Sequence, residues 1–202
     1  MKTFNFLKAH GLSNDFVIFF NQDNINISRK LIQFICDRKI GIGCDLVVFI
    51  NESVNEYSDL ISRFFNKDGS EAEICGNALR CIGKYYFNKI RKKNITVETN
   101  SGLIDIEAYN ESLIAVDLGK PYLQWDKIPI SMELDTKNLG IDFKYLKGGV
   151  AVNVGNPHVI FFAENLDKKQ LEIDSKKILR DTLFHKGVNI SVVKVVSNNQ
   201  IK

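Results

Sequence analysis

One pattern of residues occurs twice in this chain. Asn14-Asp15-Phe16-Val17-Ile18-Phe19-Phe20 reappears 142 residues later as Asn156-Pro157-His158-Val159-Ile160-Phe161-Phe162, and a glycine closely precedes each copy. Further along, residues 43–48 resemble residues 187–193 at an interval of about 144. A helical pattern lies between the two members in each half, over residues 28–38 and 171–183. A repeat of this kind constrains the architecture before any other feature does.

The repeat predicts two pseudo-symmetric units, which we place at residues 1–118 and 119–202. Strands alternate with helices, so the predicted class is α/β (α+β), each unit being a mixed, mostly antiparallel sheet wrapped around a central helix. In the first unit this helix begins at Gly76, with apolar residues spaced by three and four. Its counterpart would fall near position 219, beyond Lys202. The second unit is therefore expected to lack its central helix and to leave apolar strands uncovered.

Strands are predicted from apolar runs and from period-two alternation, as where Ile104, Ile106 and Ala108 share one face. Asp68-Gly69 predicts a tight turn within residues 66–70, since glycine accepts a positive φ. The predicted strands cover residues 4–9, 16–20, 46–50, 60–65, 95–99, 102–109, 113–118, 149–154, 159–162 and 189–196.

Composition excludes several classes of protein. The net charge of +3 is too small to indicate a nucleic-acid partner. Neither a signal peptide nor an apolar stretch of about 18 residues occurs, so we expect a cytoplasmic location and no membrane partner. The four cysteines are expected to be reduced thiols. They form no CxxC pair and the three histidines are scattered, so no metal site is predicted.

The most informative segment runs from Phe65 to Cys81. Cys75 lies where a loop becomes a helix, and the positive end of the helix dipole favours an anion there. Such a position can lower a thiol pKa from about 8.5 into the range of about 3.5–7.5, as a general base near neutral pH requires. Gly76 and Asn77 are suited to holding a carboxylate. The alternative is a small buried cysteine at a helix start, which is how we interpret Cys36, Cys44 and Cys81.

Four motifs resemble those of diaminopimelate epimerases, in order and at matching intervals along the whole chain. The opening motif is His10-Gly11-Leu12-Ser13-Asn14-Asp15-Phe16, with Ser13 where glycine is usual. Asp37-Arg38-Lys39-Ile40-Gly41-Ile42-Gly43-Cys44-Asp45 is similar to the next. The segment from Phe65-Asn66 through Cys75-Gly76-Asn77 resembles the first catalytic-cysteine motif, and Gly155-Asn156-Pro157-His158 resembles the motif that opens the second domain's site.

The resemblance implies a cofactor-free isomerase that interconverts LL- and meso-diaminopimelate, in lysine and peptidoglycan biosynthesis, by two-base cysteine chemistry. It implies a substrate held between two similar domains. Cys75 matches one of two catalytic cysteines, and His158 matches a histidine that tunes the thiols. The residues matching substrate-binding positions are Asn14, Asn66, Gly76, Asn77, Asn156 and Asn189. The small-molecule substrate is the expected partner, and a homodimer is compatible with the sequence.

Two departures from the family pattern bear on activity. Leu46 occupies a position where the family commonly has a substrate-contacting glutamine. The second catalytic cysteine would lie past Lys202, so we expect a polypeptide of these 202 residues not to complete the two-base reaction. Two alternatives stay open at this point. One is a cofactor-independent racemase of another amino acid such as proline, and the other is a non-catalytic substrate-binding protein.

Overall fold

The computed structural model describes residues 3–21, 27–164 and 167–202. The chain divides into two compact units, Met1–Leu118 and Gly119–Lys202. No helix among the described residues is long and apolar enough to cross a membrane.

The described residues of unit 1 form eight strands and two α-helices. Ser28 caps the first helix by accepting a hydrogen bond from the Leu31 amide through its side chain at 3.2 Å. The elements are β1 (Phe6–Gly11), β2 (Asn14–Phe20), α1 (Arg29–Cys36), β3 (Leu46–Glu52), β4 (Leu60–Asn66), β5 (Glu71–Ala72), α2 (Gly76–Ile90), β6 (Asn94–Thr99), β7 (Gly102–Ala108) and β8 (Ile114–Asp117).

These strands form one mixed sheet with the order β1-β2-β3-β4-β6-β7-β8, and β5 pairs with β4. Among the described strands of this sheet, the β2–β3 and β4–β6 pairs are parallel and the other pairs are antiparallel. The central strands are apolar on both faces, because each face is covered by a helix. On one face Phe16 and Ile18 pack with Leu79 and Ile82 of α2. On the other face, Val17 belongs to a cluster that includes α1 residues.

Helix α2 lies against the two edge strands of this sheet, β1 and β8, and against β7. Gly83 allows the close approach. A Cβ placed there would lie 2.5 Å from Ile106 Cγ2 and 2.9 Å from Ile114 Cγ2. The predicted sheet wrapped around a central helix is confirmed in this unit.

Unit 2 contains a three-stranded sheet, two short hairpins and one described α-helix. Asp167 caps that helix by accepting a hydrogen bond from the Gln170 amide at 3.1 Å. The elements are β9 (Ile141–Asp142), β10 (Lys147–Gly148), β11 (Val150–Asn153), β12 (Pro157–Phe162), α3 (Lys168–Ile178), β13 (Asn189–Val193), β14 (Val195–Ser197) and β15 (Gln200–Ile201).

The internal repeat is present in the strand pairing. In unit 1, β2 pairs antiparallel with β1 and parallel with β3, and α1 lies between β2 and β3 in the chain. In unit 2, β12 pairs antiparallel with β11 and parallel with β13, and α3 lies between β12 and β13. Phe16 is opposite Leu46 in the first copy, and His158 is opposite Asn189 in the second. The stretch from His158 to Asn189 in unit 2 is one residue longer than the stretch from Phe16 to Leu46 in unit 1.

The two faces of the unit 2 sheet are covered differently by the residues that the structure describes. Val159 and Phe161 are fully buried in a cluster that includes Ile178 of α3. Ile160 and Phe162 point to the other face, and Phe162 remains 57% exposed. This face corresponds to the one that α2 covers in unit 1.

Two predicted elements in the second half have wrong boundaries. The helix predicted for residues 171–183 begins earlier, at Lys168, and ends at Ile178, and a separate 3₁₀ turn spans Thr182–Phe184. Asp181 separates the two because its side chain accepts a hydrogen bond from the Leu183 amide. The strand predicted for residues 189–196 ends at Val193, and a second hairpin begins at Val195.

Candidate active site

The site residues predicted in unit 1 meet at one end of its sheet. Strands β2 and β3 are parallel and start at this end, whereas β1 and β4 are antiparallel to them and finish there. Asn14 is the first residue of β2, and Asn66 is the last residue of β4. Helix α2 begins shortly after β5, which pairs with β4 near the same end. The topology thus gathers Asn14, Asn66 and the start of α2 from distant parts of the chain.

Cys75 is the N-cap residue of α2, with φ −141° and ψ 101°. The predicted position at a loop-to-helix junction is confirmed. Its thiol is half-buried and packs against the apolar cluster between α2 and the sheet. The first amides of a helix have no partner within the helix, so they are available to an anion beside Cys75.

The predicted net lowering of the Cys75 pKa is wrong for this conformation. Burial raises the pKa of the Cys75 thiol, since the charged thiolate is poorly solvated there. The amides of Ala78 and Asn77 and the charge of Arg80 act in the opposite direction but are weaker. The helix start therefore favours the thiolate, as expected, but the surrounding apolar side chains outweigh that effect.

Gly11 brings the end of β1 against the first turn of α2. A Cβ built on Gly11 would lie 3.4 Å from the Asn77 carbonyl oxygen and 3.8 Å from Cys81 Sγ. Asn14 pairs directly with Gly11 across the β1–β2 hairpin. The Asn77 side chain is held in place by Arg80, whose Nη1 donates to Asn77 Oδ1 at 2.8 Å.

Asn14 carries an unused polar atom. Its side-chain Oδ1 is buried and has no hydrogen-bond partner among the described residues. Such an atom costs free energy unless a ligand or water donates to it. Asn66, by contrast, belongs to the predicted turn, in which its Nδ2 donates to Ser70 Oγ at 3.1 Å and Gly69 has a φ of +83°.

The predicted residues of unit 2 also cluster. His158 Nε2 lies 2.9 Å from Asn156 Oδ1. Asn189 is opposite His158 in the parallel β12–β13 pair, and its Nδ2 donates to the Pro157 carbonyl oxygen at 3.1 Å. Burial lowers the pKa of His158, which favours the neutral ring.

Cys81 borders a different region of unit 1. A groove of about 540 Å³ lies between β1 and α2, with Cys81 but not Cys75 in its lining. Burial raises the pKa of the Cys81 thiol as well. Within the described residues, no group of three or more His, Cys, Asp and Glu side chains is arranged to hold a metal ion.

A network of charged residues beside Asn14 was not predicted from the sequence. Asp15 accepts hydrogen bonds from both Lys8 and Arg38, and Arg38 also binds Asp45. Asp15 and Asp45 also bind each other through two reciprocal hydrogen bonds. The Asp15 amide donates to the Asp45 carboxylate and the Asp45 amide donates to the Asp15 carboxylate, each at 3.1 Å. Three members of this network, Asp15, Arg38 and Asp45, lie within the first two family-like motifs. Their charges and their positions in these motifs were the sequence signal that could have indicated the network.

Comparison with known proteins agrees with this geometry. The sequence profile of the family described as "Diaminopimelate epimerase" matches residues 6–124. The diaminopimelate epimerase of Carboxydothermus hydrogenoformans is 39% identical, over 98% of this chain and 74% of that protein. The enzyme of the same name from Zymomonas mobilis is 35% identical, over 99% of this chain and 72% of that protein.

The chain belongs to the diaminopimelate epimerase family. The resemblance seen in the four motifs is thereby confirmed. Solved structures support the fold of this diaminopimelate epimerase family member. A probable proline racemase from Agrobacterium radiobacter aligns with a TM-score of 0.67 at 13% identity, over 98% of this chain and 69% of that one. A phenazine biosynthesis protein of the PhzF family from Bacillus anthracis aligns with a TM-score of 0.61 at 18% identity, over 100% and 71% of the two chains.

Proposed function

We propose that this chain binds diaminopimelate and transfers a proton at its α-carbon through the Cys75 thiol, in the manner of a diaminopimelate epimerase. The observation that carries the proposal is the position of Cys75 as the N-cap of α2, at the sheet end where Asn14 and Asn66 also lie. Family membership supplies the substrate class.

The first turn of α2 is suited to the carboxylate on the reacting carbon. Removal of the α-proton leaves a planar, electron-rich intermediate whose charge spreads onto this carboxylate. Backbone amides at Gly76 and Asn77 would donate to it, and they are fixed before the substrate arrives. Donors of this kind stabilise the charge as it develops without reorganising.

The substrate's polar groups would also meet Asn14 and Asn66 in unit 1, and Asn156 and Asn189 in unit 2. The buried Oδ1 of Asn14 supports this assignment, because a donor on the ligand would satisfy an atom that has no hydrogen-bond partner in the part of the chain that the structure describes. We assign His158 the role of a neutral imidazole that adjusts the proton affinity of nearby groups, which agrees with the lowering of its pKa by burial. A cytoplasmic location belongs to the same proposal.

Inversion needs a second acid on the opposite face of the α-carbon. The cysteines of these 202 residues are Cys36, Cys44, Cys75 and Cys81, all in unit 1. We therefore expect a polypeptide of these residues to exchange the α-proton from one face without inverting the carbon. Cys75 would both remove the α-proton and return a proton to the same face.

Incubation in D₂O tests the proposal. LL-diaminopimelate and meso-diaminopimelate are each incubated with the chain, and mass spectrometry and chiral chromatography follow deuterium and configuration separately. We expect deuterium with retained configuration from only one of the two stereoisomers, the one whose α-hydrogen faces Cys75, and no exchange with Cys75→Ser. Cys81→Ser is the matched control and should retain exchange. Exchange that survives in Cys75→Ser would overturn the role of Cys75, and inversion by the wild-type chain would overturn the one-sided reaction.

A non-catalytic binding protein is the second candidate, favoured by the burial that raises the pKa of the Cys75 thiol and by Leu46 in place of the family's glutamine. Calorimetry separates the two functions. Binding of diaminopimelate with no deuterium exchange between pH 7 and pH 10 would identify the chain as a binding protein.

A further inference from the structure

Cys36 and Cys44 form a pair of thiols inside unit 1. Their Sγ atoms lie 3.5 Å apart, with Cys44 donating to Cys36. Cys36 is the last residue of α1, and Cys44 lies two residues before β3. Both are reduced, and their exposed fractions are 6% and 2%. No role in diaminopimelate chemistry is assigned to either residue.

A backbone hydrogen bond holds the two cysteines together. The Cys44 amide donates to the Cys36 carbonyl oxygen at 3.2 Å. The two Sγ atoms, 3.5 Å apart, need to approach by only about 1.5 Å to reach the disulfide bond length of about 2.05 Å. A small change in side-chain torsion would therefore bring the sulfurs to bonding distance.

The loop between the two cysteines is fixed against the end of α1. The amides of Ile42 and Gly43 both donate to the Ile35 carbonyl oxygen, at 3.2 and 2.9 Å. Gly41 is packed so closely that a Cβ would lie 1.8 Å from the Phe34 carbonyl oxygen. The thiols thus face each other in a rigid frame, and their approach does not depend on a rare opening of the loop.

We propose that Cys36 and Cys44 are a thiol–disulfide couple, oxidised by a small two-electron oxidant of the peroxide class. The Cys36 thiolate attacks one peroxide oxygen, the O–O bond breaks, and the hydroxide released takes up a proton to become water. The Cys44 sulfur then attacks the Cys36 sulfenic acid. The S–O bond breaks, and a second water leaves with the Cys44 proton. Two thiols and one peroxide give one disulfide and two waters.

The electrostatics of the pair agree with this order of steps. The hydrogen bond from Cys44 lowers the pKa of the Cys36 thiol, and the same bond raises the pKa of Cys44. Burial and the charge of Asp45 act against the Cys36 thiolate, whereas the charges of Lys8 and Arg38 favour it, and the hydrogen bond from Cys44 is the largest effect. Cys36 is therefore the sulfur that attacks, and Cys44 is the sulfur that resolves the sulfenic acid.

The ring that the disulfide closes includes two groups that support the β1–β2 hairpin. Arg38 binds the Asp15 carboxylate, and the Gly43 carbonyl oxygen accepts a hydrogen bond from Lys8. Asp15 directly follows Asn14. A disulfide would therefore stabilise the loop between Cys36 and Cys44, which supports the β1–β2 hairpin, and it would leave Cys75 unmodified. The inference rests on none of the proposed substrate chemistry.

Peptide mapping tests the inference, because trypsin places each of the four cysteines in a different peptide. Cleavage follows Lys and Arg, so Cys36 lies in residues 31–38, Cys44 in 40–63, Cys75 in 68–80 and Cys81 in 81–84. The folded chain is treated with hydrogen peroxide, and free thiols are blocked with N-ethylmaleimide in denaturant before digestion. We expect a cross-linked 31–38/40–63 species lighter than its two peptides by two hydrogens, with equal loss of label at both cysteines.

Three comparisons make the result decisive. Dithiothreitol should restore both labels, Cys81→Ser should leave the cross-link unchanged, and the oxidised chain should have a higher thermal midpoint than the reduced one. Cys36→Ser should abolish the cross-link, and the wild-type map stands even if this variant does not fold. Full labelling of Cys36 and Cys44 after peroxide treatment, or preferential pairing of Cys75 with Cys81, would overturn the inference.

Discussion

Arg38 donates hydrogen bonds to both carboxylate oxygens of Asp15, from Nη1 to Oδ2 at 3.0 Å and from Nη2 to Oδ1 at 2.6 Å. Lys8 adds a third contact at 2.8 Å. The Arg38 guanidinium holds the pKa of the Asp15 carboxyl well below its usual range, although partial burial opposes it. Since Asp15 follows Asn14, this bidentate contact holds in place the backbone next to Asn14, a proposed substrate-binding residue.

Replacement of Arg38 by glutamine should raise the pKa of Asp15 towards its usual value. A depressed carboxyl pKa stabilises the folded state above the unfolded value of about 3.9, and the stabilisation is lost as the pH falls below it. Urea unfolding should therefore show wild type more stable than Arg38→Gln at pH 7, with the difference shrinking below pH 4. Arg180→Gln is the control, because Arg180 forms no ion pair within the described residues. An equal difference at pH 2.5 and pH 7 would contradict this prediction.

Ser13→Gly should stabilise the chain. Ser13 has a φ of +65°, in a region that costs a non-glycine residue about 1–2 kcal/mol. Glycine removes that cost but adds backbone entropy to the unfolded chain, so we expect a net gain of about 0.5–1 kcal/mol in the free energy of unfolding. Urea denaturation measures it. Ser112→Gly, at an exposed turn position without a positive φ, should give no gain.

Gly83→Ala should destabilise unit 1. Alanine favours a helix by about 1 kcal/mol over glycine, but its Cβ would lie within 3 Å of Ile106 and Ile114. Overpacking of this kind costs about 1–3 kcal/mol, so after the gain of about 1 kcal/mol in helix propensity the net loss should be up to about 2 kcal/mol. Lys84→Ala is the control, because Lys84 is the neighbouring helix residue and is exposed. It places alanine in the helix without overpacking and should change the free energy of unfolding by less than about 0.5 kcal/mol. Stabilisation by Gly83→Ala would show that α2 does not pack this closely on β7 and β8.

The alkylation rate of Cys75 should rise with pH at a midpoint above the ordinary thiol value of about 8.5, because the thiolate is the reactive form and burial disfavours it. Iodoacetamide labelling of the peptide that contains Cys75 measures this midpoint. The urea-unfolded chain is the internal reference and should titrate lower. Arg80→Gln should move the folded midpoint further up, since the Arg80 charge favours the thiolate. A folded midpoint below the unfolded one would mean that the helix start outweighs burial after all.

Asn14→Ala should separate stability from binding. The Oδ1 atom that it removes is buried and accepts no hydrogen bond from residues 3–21, 27–164 or 167–202, so the free energy of unfolding should change by less than about 1 kcal/mol. Loss of one hydrogen bond to the ligand should weaken diaminopimelate binding by about five- to tenfold. Calorimetry and urea denaturation measure the two quantities. Asn88→Ala, on the exposed end of α2, should alter neither. Unchanged affinity would remove Asn14 from the site.

Much of the fold could be predicted from the sequence because the strands and α2 have strong periodicities of two and 3.6 residues. The end of α3 was missed because the apolar pattern continues past Ile178, whereas the Asp181 side chain bonds a local amide and interrupts the helix. The position of Cys75 could be predicted from its local motif. The sign of its pKa shift could not, since that depends on side chains from several strands that only the folded sheet brings around it. The contact between Cys36 and Cys44 could not be predicted either, because it depends on how the loop after α1 folds back on the helix.

The two copies of the strand–strand–helix–strand pattern differ in length by one residue, yet both keep the same pairing and bury the same face of their second strand. A one-residue slip within a ladder would have turned every side chain to the opposite face. The difference must therefore be absorbed in the stretch between paired strands, where α1 and α3 lie. A one-residue insertion or deletion should therefore be tolerated better in those connections than within β2 or β12.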